Sequence, residues 1–289
     1  MKNTTLISLI VLIGATAQTN AAVTVLDYYK LGDNDSGAVA GNVGNSTTTD
    51  SAGSSNLTRT GSPTYSSDVP FSSIGGSPNT FSMLFSSADY SFASRLTDAQ
   101  TNFGFEVFVK ATSTTGNAGI VYNGKAGSSG FGILRQGTTY VAELGTNPGT
   151  FFGSTTVSLN SWVYLALVRD GTTSTFYVNG ISAGTSAATP LFGSNPFRIG
   201  SSVGTDFFTG GIDQVRLFTF APGAFITGDL LINQVPEPST WVMLSGGLAA
   251  TIIGAFGRKR RRLTGRCSEC LEAGTSAAYA AAAPSPSHR

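Results

Sequence analysis

The chain has 289 residues, with 17 Lys and Arg against 16 Asp and Glu, and only 11% of it is charged. Between residues 23 and 234 there are nine cations and thirteen anions, a net of −4, which argues against nucleic acid as a partner because such binding needs a clustered basic footprint. The two cysteines (Cys267 and Cys270) and the single histidine (His288) lie beyond that region, which excludes from it disulfides, His-dependent triads and His-based zinc sites.

The first residues, MKNTTLISLIVLIGATAQ, place one cation (Lys2) before an apolar run from Leu6 to Ile13 and then Ala15-Thr16-Ala17. That order predicts a cleavable secretory signal over residues 1–22, with cleavage after Ala17 or Ala22. The apolar run is too short to span a membrane, which takes ~20 residues. Residues 23–234 are thus expected outside the cytoplasm, delivered by the Sec export machinery.

Runs rich in β-branched and aromatic residues follow, separated by Gly, Ser, Thr and Asn. They read as strands at 23–31, 81–85, 103–111, 118–123, 130–135, 139–145, 150–158, 162–170, 173–180, 197–202 and 211–220. Residues 32–67 hold little apolar matter and read as long loops. In 103–110, Phe105, Val107 and Val109 alternate with Glu106, Phe108 and Lys110, so Glu106 is expected to point outward into solvent. The run 162–168 is apolar on both faces, as a central strand buried twice would be. Asp170-Gly171 between two runs is a hairpin signal. No stretch of 23–234 sustains a 3.6-residue period, so the expectation is an all-β, two-sheet antiparallel sandwich.

Three stretches carry a resemblance. SWVYLALVRDGTTSTFYVNGISAG (161–184) has the form W-x-h-h-A, hairpin, Y-h-N-G. FRIGSS (197–202) with FFTGGIDQVRLFTFA (207–221) has the form I-G…F-x-G-x-I-D-x-V-R. YYKLGDNDSG (28–37) with DSAG (50–53) has an opening strand and a D-x-x-G loop. Together they resemble the laminin-G-like, concanavalin A-like jelly rolls. The resemblance implies a jelly-roll domain over 23–234 that binds carbohydrate or another surface ligand. A glycoside hydrolase of the same fold and a passive structural component of an extracellular matrix stay open as alternatives, since one fold serves many functions.

Hydrolysis would need two carboxyls on one face. The region has only two glutamates, Glu106 and Glu143, each alone among apolar neighbours, so no catalytic residue is assigned and the expectation is a non-enzyme. Asp213 is expected to share a face with Val215 and Leu217, where a carboxylate must be hydrogen-bonded, paired or metal-bound. The resemblance implies a structural Ca²⁺ held by Asp213 and Asp50 with carbonyls near Tyr28 or Gly32; an Asp213 that caps N–H groups or pairs with an arginine is the alternative. Asp33 and Asp35 read as loop anions. Tyr65, Tyr90, Tyr122, Tyr140 and Phe207-Phe208 would stack on sugars if exposed, and otherwise belong to the core.

Beyond the strand-like runs lies VPEPSTWVMLSGGLAATIIGAFGRKRRR, residues 235–262. Val235, Pro236, Glu237 and Pro238 stay extended because proline continues neither helix nor ladder. Residues 241–256 are nearly all apolar, and as a helix they would measure ~24 Å, slightly less than the ~30 Å hydrocarbon core. Arg258, Lys259, Arg260, Arg261 and Arg262 would stop transfer at the cytoplasmic face. The three parts in this order resemble the PEP-CTERM sorting signal of Gram-negative bacteria. That resemblance implies an exosortase partner, cleavage near residues 236–238, and delivery to the cell surface or an extracellular polysaccharide. Residues 263–289 continue past the basic run as a low-complexity cytoplasmic extension, in which Cys267-Ser268-Glu269-Cys270 is incidental.

Overall fold

The computed structural model describes residues 23–96 and 101–235. The signal peptide with Ala17 and Ala22, residues 236–238 of the sorting motif, the apolar segment 241–256, the basic run 258–262 and the extension 263–289 lie outside the described residues. Eighteen strands form among those described: β1 (Val23–Tyr29), β2 (Thr47–Thr48), β3 (Leu57–Thr60), β4 (Thr64–Ser66), β5 (Ser73–Ile74), β6 (Ser77–Pro78), β7 (Ser82–Phe85), β8 (Asp89–Phe92) and β9 (Asn102–Ala111), then β10 (Asn117–Lys125), β11 (Ser129–Gln136), β12 (Thr139–Leu144), β13 (Thr150–Thr156), β14 (Val163–Asp170), β15 (Thr173–Val178), β16 (Ile181–Ser186), β17 (Phe197–Ile199) and β18 (Gly210–Phe220).

Two large antiparallel sheets result. The first runs β16-β15-β14-β9-β18-β7-β4, with β1 also paired to β18; the second runs β13-β12-β11-β10-β17-β8-β3-β2. Alternation along each strand sends one set of side chains inward, and Phe103, Phe105, Val107 and Val109 of β9 meet Phe131 and Ile133 of β11 in the core between the sheets. Phe103 and Phe131 pack with their rings tilted by 36° and centroids 4.3 Å apart. This is the jelly-roll sandwich the sequence predicts. The edges β13 and β16 come together where Gly153 and Gly184 meet. A Cβ on Gly184 would stand 2.6 Å from the Gly153 Cα, so that approach requires a residue without one.

The outer face of the first sheet is also apolar. Phe108, Tyr164, Ala166, Val168 and Phe218 form a second cluster there, closed by Ile74, Leu230 and Leu231. The cover is a strap, residues 221–235, containing two short 3-10 turns (Thr227–Asp229 and Leu231–Gln234). Asp229 secures the first turn by accepting the Ile226 N–H at 3.0 Å.

Two expectations change. Residues 32–67 are not all loop: β2, β3 and β4 lie there, and Leu57 and Tyr65 reach the core from β3 and β4. The Asp213 face is also different. The β18 ladder slips between Asp213 and Arg216, and Gln214 takes φ 52° in the slip. This bulge puts Ile212, Val215 and Leu217 together in the core and turns Asp213 to the outer face, away from Val215 and Leu217.

Candidate functional site

The carboxylates come first, because they decide what chemistry the surface supports. Register places Glu106 of β9 opposite Ala166 of β14 and Arg216 of β18, on the outer face of the first sheet. It points outward as expected, yet it is fully buried, because the strap closes over it. The Arg216 Nε donates to its Oε1, while the Tyr164 hydroxyl and the Leu231 N–H (3.0 Å) donate to its Oε2. A solvated glutamate is thus replaced by a buried ion pair with every oxygen occupied. Glu143, on the outer face of the second sheet, is equally buried and accepts the Gly127 N–H at 2.6 Å. Burial raises its carboxyl above the ordinary range, with the Gly127 N–H bond opposing. The two glutamates sit on different sheets, each enclosed by protein.

Asp213 lies in a polar group under the strands. Its Oδ2 accepts the Asn79 side-chain amide at 2.8 Å, and its Oδ1 is buried with no hydrogen-bond partner. Gln214, held by the bulge, donates to the Asn79 Oδ1 at 2.8 Å and accepts from the Tyr28 hydroxyl. Burial pushes the Asp213 carboxyl well above the ordinary range; Asn79 opposes, and the nearby Asp33 charge pushes the same way. Asp33 itself accepts from the Thr80 N–H (2.9 Å) and the Phe81 N–H (3.1 Å), so it pins the loop after β1 to the start of β7.

Asp50 and Asp213 share no hydrogen-bonding partner. Asp50 Oδ1 accepts the N–H groups of Tyr28, Ala52 and Gly53, and Oδ2 accepts that of Ser55. Burial favours its neutral form, but those four amides prevail and lower its carboxyl below the ordinary value. It caps the D-x-x-G loop against β1. Asp35 has a similar duty, accepting from Thr49 N–H at 2.8 Å and the Tyr65 hydroxyl at 3.0 Å. Among the described residues, no three His, Cys, Asp or Glu side chains gather as a metal group.

Tyr65, Tyr90, Tyr122, Tyr140 and Phe208 are all buried and offer no platform for a ligand, while Phe207 is half-buried. Other partly accessible aromatics lie elsewhere. A groove of about 460 Å³ runs along the outer face of β14 and β15 beside the strap, lined by Asp170, Thr173, Thr175, Tyr177, Phe225 and Thr227. Its floor follows from period two: residues 173, 175 and 177 share one face of β15 and pair with Asp170, Val168 and Ala166. Its wall is Phe225, whose ring centroid is 6.2 Å from that of Tyr177. Burial raises the Tyr177 phenol, with Thr175 hydrogen-bonding to it and Asp170 adding negative charge. A smaller pocket of about 230 Å³ opens between β13 and β14 at Trp162, Ser158, Ser161 and Asn179. The Trp162 indole donates to Asp68 at 3.0 Å, and Lys110 lies over its ring. Tyr177 was detectable in the sequence only as the residue out of phase with Phe176, and Phe225 lies beyond the last periodic run.

Residues 85–224 match the family model of the concanavalin A-like lectin/glucanases superfamily. Residues 234–262 match that of the PEP-CTERM protein-sorting motif. The fold is similar to domain 4 of a GH43 extracellular arabinanase from Geobacillus stearothermophilus, solved in complex with arabinotriose, at TM-score 0.55 and 16% identity, over 72% of this chain and 98% of that one. It is also similar to a receptor binding domain, at TM-score 0.51 and 14% identity, over 74% of this chain and 51% of that one. Trypanosoma rangeli sialidase is similar at TM-score 0.48 and 12% identity over 75% of this chain, which spans 32% of the enzyme. No curated protein matches the chain. The first family match ends within the strap, at residue 224, and the second begins within it, at residue 234. The chain carries a concanavalin A-like jelly-roll domain followed by a PEP-CTERM sorting motif.

Proposed function

We propose that the chain is an exported glycan-binding protein. In this reading the Sec machinery delivers it, an exosortase acts on its C-terminal signal, and its jelly roll ends at the surface of a Gram-negative cell or in the surrounding polysaccharide. The observation that carries the binding reading is the groove of β14, β15 and the strap. Tyr177 and Phe225 present ring faces to the C–H faces of a sugar, and Thr173, Thr175, Thr227 and Asp170 present hydrogen-bonding groups along the same line. Asp170 is the charged residue of the lining, so neutral glycans suit the groove better than acidic ones. Arabinotriose bound to a domain of like fold supports this class of ligand. Binding, not hydrolysis, is the proposed activity, since both glutamates are enclosed and committed to structural bonds.

A structural Ca²⁺ is proposed at Asp213. The orphaned Oδ1 and the raised carboxyl fit a group waiting for a cation, with Asp33 and backbone carbonyls to complete an oxygen shell. Asp50 has no place in that shell.

The glycan reading is tested with the compact unit that ends at Pro236, screened against neutral and acidic polysaccharides. Binding to neutral chains is expected. Tyr177→Ala should weaken it roughly tenfold, the scale of one lost aromatic contact with its buried area. Silence across all polysaccharides would leave a passive matrix component in its place.

A further inference from the structure

The sorting motif does not begin on a free linker. Its family match starts at Gln234, and Gln234 is part of the folded domain. The Gly75 N–H of the β5–β6 hairpin donates to the Gln234 carbonyl at 3.0 Å, and the Gln234 side-chain amide donates to the Asp229 carbonyl at 3.2 Å. Val235 packs against the outer cluster of the first sheet. Upstream, Leu230 and Leu231 are buried in that cluster. The Leu231 N–H reaches Glu106 at 3.0 Å, and Arg216 Nη2 reaches the Asp229 carbonyl at 2.6 Å. Asn233 ties the two 3-10 turns together, donating its side-chain amide to the Thr227 carbonyl at 2.6 Å.

A protease needs several residues of extended chain beside the bond it cuts, and cleavage concentrates where local opening supplies them. For a bond at 236–238, the residues on its N-terminal side include 233–235, and these are coiled and docked. We infer that the strap gates processing: residues 230–235 must leave the outer face of the first sheet before the sorting protease can accept the motif. Glu106, Arg216 and Gly75 then act as positioning residues for the cleavage, by setting how often the strap opens. The device rests on the sorting reading above, but it makes a separate claim about rate. It also gives the outer cluster a use beyond stability, since a domain that has not formed its first sheet has no dock for the strap.

The test follows the full-length chain in its host, by the rate at which precursor converts to the shortened product. Two variants loosen the strap without touching the core between the sheets. Leu231→Ala removes a buried anchor, and conversion should rise tenfold or more, on the order of one lost core contact. Asn233→Ala removes one hydrogen bond at the strap's rim, and a rise of roughly fivefold is expected. Melting of the purified Asn233→Ala precursor should stay close to wild type, so it decides the matter if Leu231→Ala fails to fold. Both folded variants converting at the wild-type rate would overturn the gate and leave the sorting reading intact. A wild-type chain that is never shortened would overturn the sorting reading, and the gate with it.

Discussion

Asp213 and Gln214 show how one bulge buries a carboxylate away from the core. Were β18 regular, residue 213 would face the core and Asn79 would have no carboxylate to hold. The slip at Gln214 brings Asp213, Asn79 and Asp33 under one roof and leaves a buried oxygen unpaired. The sign of the resulting pH dependence follows from the raised carboxyl. Its ordinary value is 3.8, and a folded value above that favours the folded state below pH ~4. The advantage is lost as the pH rises through the folded value. Without a divalent ion, stability should therefore decline from pH ~4 toward neutrality, and Asp213→Asn should flatten that slope. Calcium at a hundredfold excess over its Kd should add about 2.7 kcal/mol at pH 7, or roughly 5–10 °C in Tm for a domain of this size. A wild-type melting curve at pH 7 that ignores both calcium and chelator would remove the cation from the site.

At the scale of elements, the strap and the first sheet depend on each other through Glu106 and Arg216. The pair is buried, so its contribution is read most clearly by removing one partner. Glu106→Ala leaves the Arg216 cation enclosed beneath Leu231 and Asp229. A loss of about 3–5 kcal/mol is expected, seen as a fall of roughly 10 °C in Tm, with little relief from salt. A variant that melts within a degree of wild type would show that water already reaches the pair. The sequence carries the two-sheet plan plainly in strands such as β9 and β14, where alternation or a doubly apolar run spans seven residues or more. It does not carry β3 and β4, because Leu57 and Tyr65 are single apolar residues in polar surroundings and too few to make a period. It does not carry β16 either, an edge strand of small residues, Ile181-Ser182-Ala183-Gly184. The strap is invisible for a related reason: short 3-10 turns have no period that a face could follow. The strap is also the lid on Glu106, which is why a side chain that β9 turns outward is buried, whereas Tyr65, Tyr90 and Tyr140 are buried in the core between the sheets. Which face is wet depends on an element whose sequence does not announce it.

For the whole molecule, the two ends decide where the fold works. The described domain contains no cysteine, so nothing covalent holds it in an oxidising compartment. Its resistance there comes from the packed core between the sheets, with half-buried pairs such as Asp27 with Arg95, joined at 2.8 Å, and Asp89 with Arg198 at 2.7 Å. The net negative domain is followed by a motif whose cations, Arg258 to Arg262, are all on the far side of the apolar segment. In the proposed sorting reading these charges would retain the precursor, by the preference of cations for the cytoplasmic side, and release would come from cutting the chain between domain and segment. Glu237 is the one acidic residue in that interval, placed between Pro236 and Pro238. Glu237→Ala should leave retention untouched and remove the charge the sorting enzyme reads. The expected outcome is full-length precursor accumulating in the inner-membrane fraction, its domain still folded by melting and still able to bind glycan. Replacing all five residues from Arg258 to Arg262 by serine should have a different effect, with precursor lost from the inner membrane uncut. If the Glu237→Ala chain is shortened and released as fast as wild type, the motif is only an anchor and the protein reaches the surface by another route.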